Sequence, residues 1–203
     1  MLNYINNDPY IEGVPLNEVT KIHATPFYIY SHQIISEKYK ELKESLNSEI
    51  FYSIKANSNL AIIKLIKSFG AGADVVSVGE LKRALAAGVN PKKIIFEGLG
   101  KTKEDIIFAI NENIRLINIE SFDEIKRINL IANSLNKKIN IGIRLNPNID
   151  GKMINQISTG KKTDKFGISI ENINEIINII NNSENLNLIG LSCHIGSQIS
   201  DIE

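Results

Sequence analysis

A lysine that follows a run of strand formers is the first residue in this chain that could do chemistry. In Phe51-Tyr52-Ser53-Ile54-Lys55-Ala56-Asn57, apolar and β-prone residues lead into Lys55, and small residues and a helical pattern come after it. An amine there is either a solvated strand end, its stem lying on apolar surface with the charge in water, or a group partly withdrawn from water. Withdrawal lowers an amine's pKa and makes it a better nucleophile toward an aldehyde. Other polar residues stand where apolar runs end. Asp74 and Glu80 bracket DVVSVGE. They could face a ligand, or Asp74 or Ser77 could cap the next helix with Glu80 as an acid in its first turn. Arg144 closes INIGIR and could pair with a carboxylate or a phenolate, or form an ordinary salt bridge. His194 closes the last apolar run. Its flat ring could stack on an aromatic ring or be satisfied within the strand end. Gly196 and Ser197 behind it could offer N–H and O–H groups to a phosphate. The segment ISTGKKTDKFGI could hold an anion through backbone N–H groups, as could many solvated loops.

The elements that must position these residues alternate along the chain. PFYIY (26–30) reads as a strand, and Ser31 can cap a helix that runs to about Leu46. IFYSI is a strand. SNLAIIKLIKSFG has Leu60, Ile62, Ile63, Leu65 and Ile66 at helical spacing and Gly70 as a stop. The alternation continues with strand GADVVS, helix VGELKRALAAG, strand KKIIFEG, helix KEDIIFAINEN, strand IRLINI and helix SFDEIKRINLIANSLN. Strand KINIGIRL, a polar segment over 147–165, helix ENINEIINIINN and strand LNLIGLSCHIG complete it. Apolar strands separated by helices imply a parallel sheet buried by helices, an α/β fold. The expected architecture is a (β/α)8 TIM-type barrel, incomplete at about six βα units where closure takes eight and typically ~250 residues. A doubly wound open sheet is the rival, weakened because no Gly-x-Gly-x-x-Gly follows the first strand. In a barrel, Lys55, Asp74, Arg144 and His194 would share the C-terminal rim, where barrel enzymes do their chemistry.

Composition excludes several other classes. The 203 residues carry 23 Lys+Arg against 23 Asp+Glu, so no global field exists to hold nucleic acid or an anionic membrane. Cys193 stands alone, so no internal disulfide and no cysteine-based zinc site is expected. The N-terminus MLNYINNDPYIEG lacks the basic start and apolar core of a signal peptide. No apolar run approaches the ~20 residues of a membrane span. A cytoplasmic location is the expectation.

Together the motifs TPFYIY, FYSIKAN, GADVVSVGEL, GLGKT, IRLNPNID, ISTGKKTDKFGI and GLSCHIGSQI resemble the fold-type III pyridoxal-phosphate decarboxylases, most closely the diaminopimelate branch. They occur in the family's order over nearly the whole chain; ornithine-type decarboxylases and alanine racemases share only parts of them. The resemblance implies that Lys55 carries pyridoxal 5′-phosphate through a Schiff base and that His194 stacks on its ring. It also implies that Ser197 and Gly196 meet the phosphate, and that Asp74, Glu80 and Arg144 line the cofactor site. The implied reaction is decarboxylation of an amino acid, meso-2,6-diaminopimelate, to L-lysine and carbon dioxide, in an enzyme whose family is typically homodimeric. The implied domains are an N-terminal segment, 1–30, associated with a C-terminal β domain, and a partial cofactor-binding barrel, 31–203. The remaining strands and the β domain itself are not expected within this chain. The alternatives are a non-catalytic single-barrel protein that holds the same cofactor, and an inactive truncated remnant of the decarboxylase. Two departures stand out: Glu97 in IIFEGLGKT where the family often has serine, and Lys152-Met153-Ile154-Asn155-Gln156 before STG.

Overall fold

The computed structural model of the chain describes residues 2–149 and 166–199. It begins with a small antiparallel sheet, β1 (Leu2–Ile5), β2 (Asp8–Ile11) and β3 (Val14–Pro15), followed by helix α1 (Leu16–Ile22). Asn6 and Asn7, then Glu12 and Gly13, occupy the two tight turns with positive φ at every position. This backbone matches the twist of two-residue hairpins. No alternation of apolar residues announces these strands, because they bury almost nothing. PFYIY, read above as a strand, is not one: residues 26–30 have no strand partner among the described residues, and Tyr28 and Tyr30 face solvent. A β-rich composition forms a strand only where a neighbouring strand accepts its hydrogen bonds.

Helix α2 (His32–Ser45) starts where expected, with the Ser31 hydroxyl accepting from Ile34 N. Ser31 Oγ also donates to the Glu12 carboxylate, which accepts from Gln33 N at 2.7 Å, so the hairpin is tied to the start of α2. Thereafter strands and helices alternate. They are β4 (Phe51–Ser53), α3 (Leu60–Ser68), β5 (Gly72–Val75), α4 (Val78–Ala86), β6 (Ile94–Phe96) and α5 (Lys103–Asn111). Next come β7 (Leu116–Ile119), α6 (Phe122–Ser134), β8 (Ile139–Asn146), β9 (Ile168–Ser169), α7 (Ile173–Asn181) and β10 (Leu186–Cys193).

The strands pair in parallel in the order β4-β5-β6-β7-β8-β10, with β9 pairing the end of β8. Each new strand is added at the same edge. A doubly wound sheet reverses its strand order at a switch point, and none occurs here. Crossovers of one hand that advance in one direction place their helices on one face and leave the other face to curl inward. Residues of β4 and β10, the two ends of the path, accordingly line one cleft. The fold is the α/β barrel architecture expected from the alternation.

The core lies between sheet and helices. Leu81 of α4, Ile106 of α5, and Ile125 and Ile128 of α6 are fully buried against Ile94, Phe96, Ile117, Ile119, Ile141 and Ile143. Each such side chain contributes about 1.5–3 kcal/mol of burial. Two glycines permit close approaches. A Cβ on Gly72 would stand 2.5 Å from the Lys93 carbonyl oxygen and from the Phe51 ring. A Cβ on Gly142 would overlap Asn118 Oδ1 on the neighbouring strand. No helix among the described residues is long and apolar enough to cross a membrane.

Candidate functional site

Strand β4 ends at Ser53, and Lys55 stands in the single 3-10 turn Ile54–Ala56 that follows, not on the strand itself. Ile54 is fully buried while Lys55 is exposed, so the turn uses the isoleucine as an anchor and presents the amine. Asp74 sits beside it on β5, in register with Ser53, whose hydroxyl donates to Asp74 Oδ2 at 2.9 Å. Its other oxygen, Oδ1, is buried with no hydrogen-bond partner among the described residues. Burial pushes the Asp74 carboxyl up from its usual range, against the Ser53 hydroxyl and the nearby charges of Lys55, Arg144 and His194.

Arg144 reaches the same place from β8. Its Nη1 meets Glu120 at 3.4 Å and its guanidinium lies 4.9 Å from the Phe166 ring centroid. Glu120 also accepts from Gly167 N. Arg144 is thus both the ordinary ion pair and the cleft residue that the sequence left as alternatives. His194 follows β10, and burial, Arg144 and Lys55 hold its imidazole below the usual pKa, favouring the neutral ring. Ser197 lines the cleft as well.

These side chains enclose a cleft of about 420 Å³ at the C-terminal ends of the strands, lined by Lys55, Asp74, Arg144, His194 and Ser197 together with Ser53, Glu97 and Ser192. Two expected residues are not in its lining. Glu80 turns back to accept from Val76 N at 2.9 Å, and its own N–H donates to the Ser77 hydroxyl, which makes it part of the α4 cap. Gly196 adopts φ 147° in the loop after His194. The ISTGKKTDK stretch and Lys152–Gln156 lie outside the described residues.

Sequence reasoning missed a polar scaffold behind the cleft. Asn118, 4% exposed in the middle of apolar β7, donates to Glu97 Oε1 and, at 3.2 Å, to Ser192 Oγ on β10. It passes over Gly142, the one place on β8 with no Cβ in its way. Lys101, 2% exposed, donates to the carbonyls of Gly98 (2.6 Å) and Asn118 (2.8 Å) and pairs with Glu124 at 3.0 Å. The available signal was the isolated polar residue in a strand buried on both faces. A second hollow of about 460 Å³ lies at the opposite ends of the strands, beside Lys92 and Lys137. Those two lysines already donate to Asn113 and Asn111.

An orphaned carboxylate oxygen, an amine, a guanidinium and a neutral imidazole on one cleft suit an aromatic aldehyde that carries anionic groups. The amine can take the aldehyde, the guanidinium an oxyanion and the imidazole the ring face.

Comparison with known proteins agrees with that chemistry. Residues 32–203 match the family model described as pyridoxal-dependent decarboxylase, pyridoxal binding domain. The chain is 40% identical over 202 residues to diaminopimelate decarboxylase of Aquifex aeolicus, covering 99% of this chain and 48% of that protein. It is 45% identical over 181 residues to the Campylobacter jejuni protein of the same name, covering 88% and 45%. The crystal structure of Helicobacter pylori diaminopimelate decarboxylase complexed with L-lysine superposes with a TM-score of 0.89 at 43% identity, covering 93% of this chain and 48% of that one. The chain therefore spans about half the length of the relatives it matches.

Proposed function

The chain belongs to the pyridoxal-dependent decarboxylases, and from that membership we propose that it forms the cofactor half-site of an enzyme that removes carbon dioxide from meso-2,6-diaminopimelate to yield L-lysine. The observation that carries this reading is the convergence of Lys55, Asp74, Arg144 and His194 on one cleft at the strand ends. The orphaned Asp74 Oδ1 beside the amine supports a polar ligand there.

When bound, pyridoxal 5′-phosphate supplies an electron sink for the bond to the departing carboxylate. The protein supplies position and electrostatics. Lys55, presented by the Ile54–Ala56 turn, would hold the cofactor through its amine at the aldehyde carbon. Asp74, facing Lys55, Arg144 and His194, balances the cations around the reacting centre. Arg144, fixed by Glu120 and Phe166, offers a rigid donor fork to an oxyanion. His194, whose pKa is held down by burial, Arg144 and Lys55, can lie flat on the ring. Gly196 and Ser197 lie just beyond it and are assigned to the phosphate. Glu80 acts by fixing the Val76–Ser77 turn beneath the cleft.

Incubation with pyridoxal phosphate, borohydride reduction and peptide mapping test the half-site. The label should concentrate on Lys55 and vanish in Lys55→Ala; label scattered over surface lysines would sink the assignment. Release of carbon dioxide from meso-2,6-diaminopimelate but not from ornithine or arginine tests the reaction and separates a decarboxylase from a protein that only holds the cofactor.

A further inference from the structure

Among the described residues that line the cleft, Glu97 is the one acid that the mechanism above does not use. It follows β6, its N–H donating to Val75 O at 2.8 Å, and its side chain lines the cleft with Lys55, Asp74, Arg144 and His194. Oε1 accepts from Asn118, a buried amide anchored in turn on Ser192. The amide thus holds the carboxyl on the cleft wall.

Three charged groups face it from neighbouring elements: Asp74 on β5, Glu120 after β7 and Arg144 on β8. Two of the three are acids. Burial pushes the Glu97 carboxyl above its usual range, Asp74 and Glu120 add to that, and Asn118 and Arg144 oppose it. Burial pushes the Asp74 carboxyl up as well, with the Ser53 hydroxyl, Lys55, Arg144 and His194 opposing. A ligand that brings a phosphate and a phenolate into this cleft adds negative charge, and an ionised Glu97 would repel it. A neutral carboxyl in a desolvated site is a hydrogen-bond donor.

We propose that Glu97 couples cofactor binding to proton uptake: the cleft accepts an anionic aromatic aldehyde with the Glu97 carboxyl protonated and donating to an oxygen of the bound molecule. This rests on the reading of the cleft as a pyridoxal-phosphate site and adds to it one proton, taken from solvent on binding and returned on release.

The test is the affinity of the full chain for pyridoxal phosphate as a function of pH. It is read as the cofactor concentration that half-saturates borohydride-fixed label on Lys55, in the parent, Glu97→Gln and Glu97→Ser. In the window above the carboxyl's own pKa, affinity in the parent should fall more steeply with pH than in either variant, by up to about tenfold per pH unit. The cofactor and the rest of the cleft are the same in all three proteins, so the difference in slope belongs to Glu97. Glu97→Ser serves if Glu97→Gln does not fold. Equal slopes in parent and variants would overturn this inference and leave the cofactor site standing. No label on Lys55 in the parent at any pH would overturn both.

Discussion

The side chains of Lys101 and Glu124 form an ion pair with almost no access to water, and neither lines the cleft. Their task is to hold the Gly98 carbonyl and the end of β7 together, and so to steady Glu97 and Asn118. Removing one member of a buried pair leaves the other charged and unpaired. Lys101→Ala should therefore lower stability by about 3–5 kcal/mol, measured by urea unfolding. Glu97 behaves in the opposite sense. Its carboxyl pKa is raised in the folded protein, so the folded state holds the proton more tightly than the unfolded one. Stability then falls as pH rises from the ordinary carboxylate range through the raised value, and stays lower above it. Glu97→Gln should raise the melting temperature of the cofactor-free protein at neutral pH, a gain that disappears below the ordinary carboxylate range; a gain independent of pH would argue against a titrating Glu97. Lys55, Asp74, Arg144 and His194 were legible in the sequence because each is a polar residue where an apolar run stops. Asn118 and Glu120 leave a polar mark too, in and just after β7, but nothing local to them names Glu97, Ser192 or Arg144 as the partners.

At the level of elements, helix starts are fixed locally, and Ser31 and Ser77 are legible as caps on that ground. Ser31, Asn59, Ser77, Thr102 and Ser121 each accept from a backbone N–H in the first turn of α2, α3, α4, α5 and α6, and Thr102 closes a full capping box with Asp105. These local hydrogen bonds need no tertiary context, which is why helix starts could be read from sequence. Ser121→Ala should cost about 1 kcal/mol, seen as a lower denaturant midpoint with unchanged slope. The N-terminal strands could not be read in the same way. Their only mark is the pair of turns at Asn6–Asn7 and Glu12–Gly13, since their side chains bury too little to leave a periodic pattern. Gly72 is a further element-scale constraint. Gly72→Ala drives a methyl group into the Lys93 carbonyl and the Phe51 ring, and overpacking of this kind costs about 1–3 kcal/mol. Because Phe51 starts the strand that leads to Lys55, the same variant should also reduce cofactor labelling of that lysine.

For the molecule as a whole, sequential strand order decides between barrel and open sheet. The alternation of elements made parallel pairing legible; the curl of the sheet became visible only when β4 and β10 were found to line one cleft. Among the described residues β10 pairs only with β8, and Ile189 and Leu191 on its outer face are 44% and 58% exposed. An apolar strand with one unpaired edge is a template for association. Leu191→Lys should lower the mass seen by light scattering at high protein concentration. An unchanged mass would mean that this strand does not mediate association.

The passage of Asn118 over Gly142 makes two positions one evolutionary choice. A lineage that gains a side chain at 142 must first shorten residue 118, and that step strips Glu97 of its amide partner. Order of substitution then matters: Gly142→Ala is tolerated after Asn118→Ala and is damaging before it, a non-additivity that a double-mutant cycle reads directly.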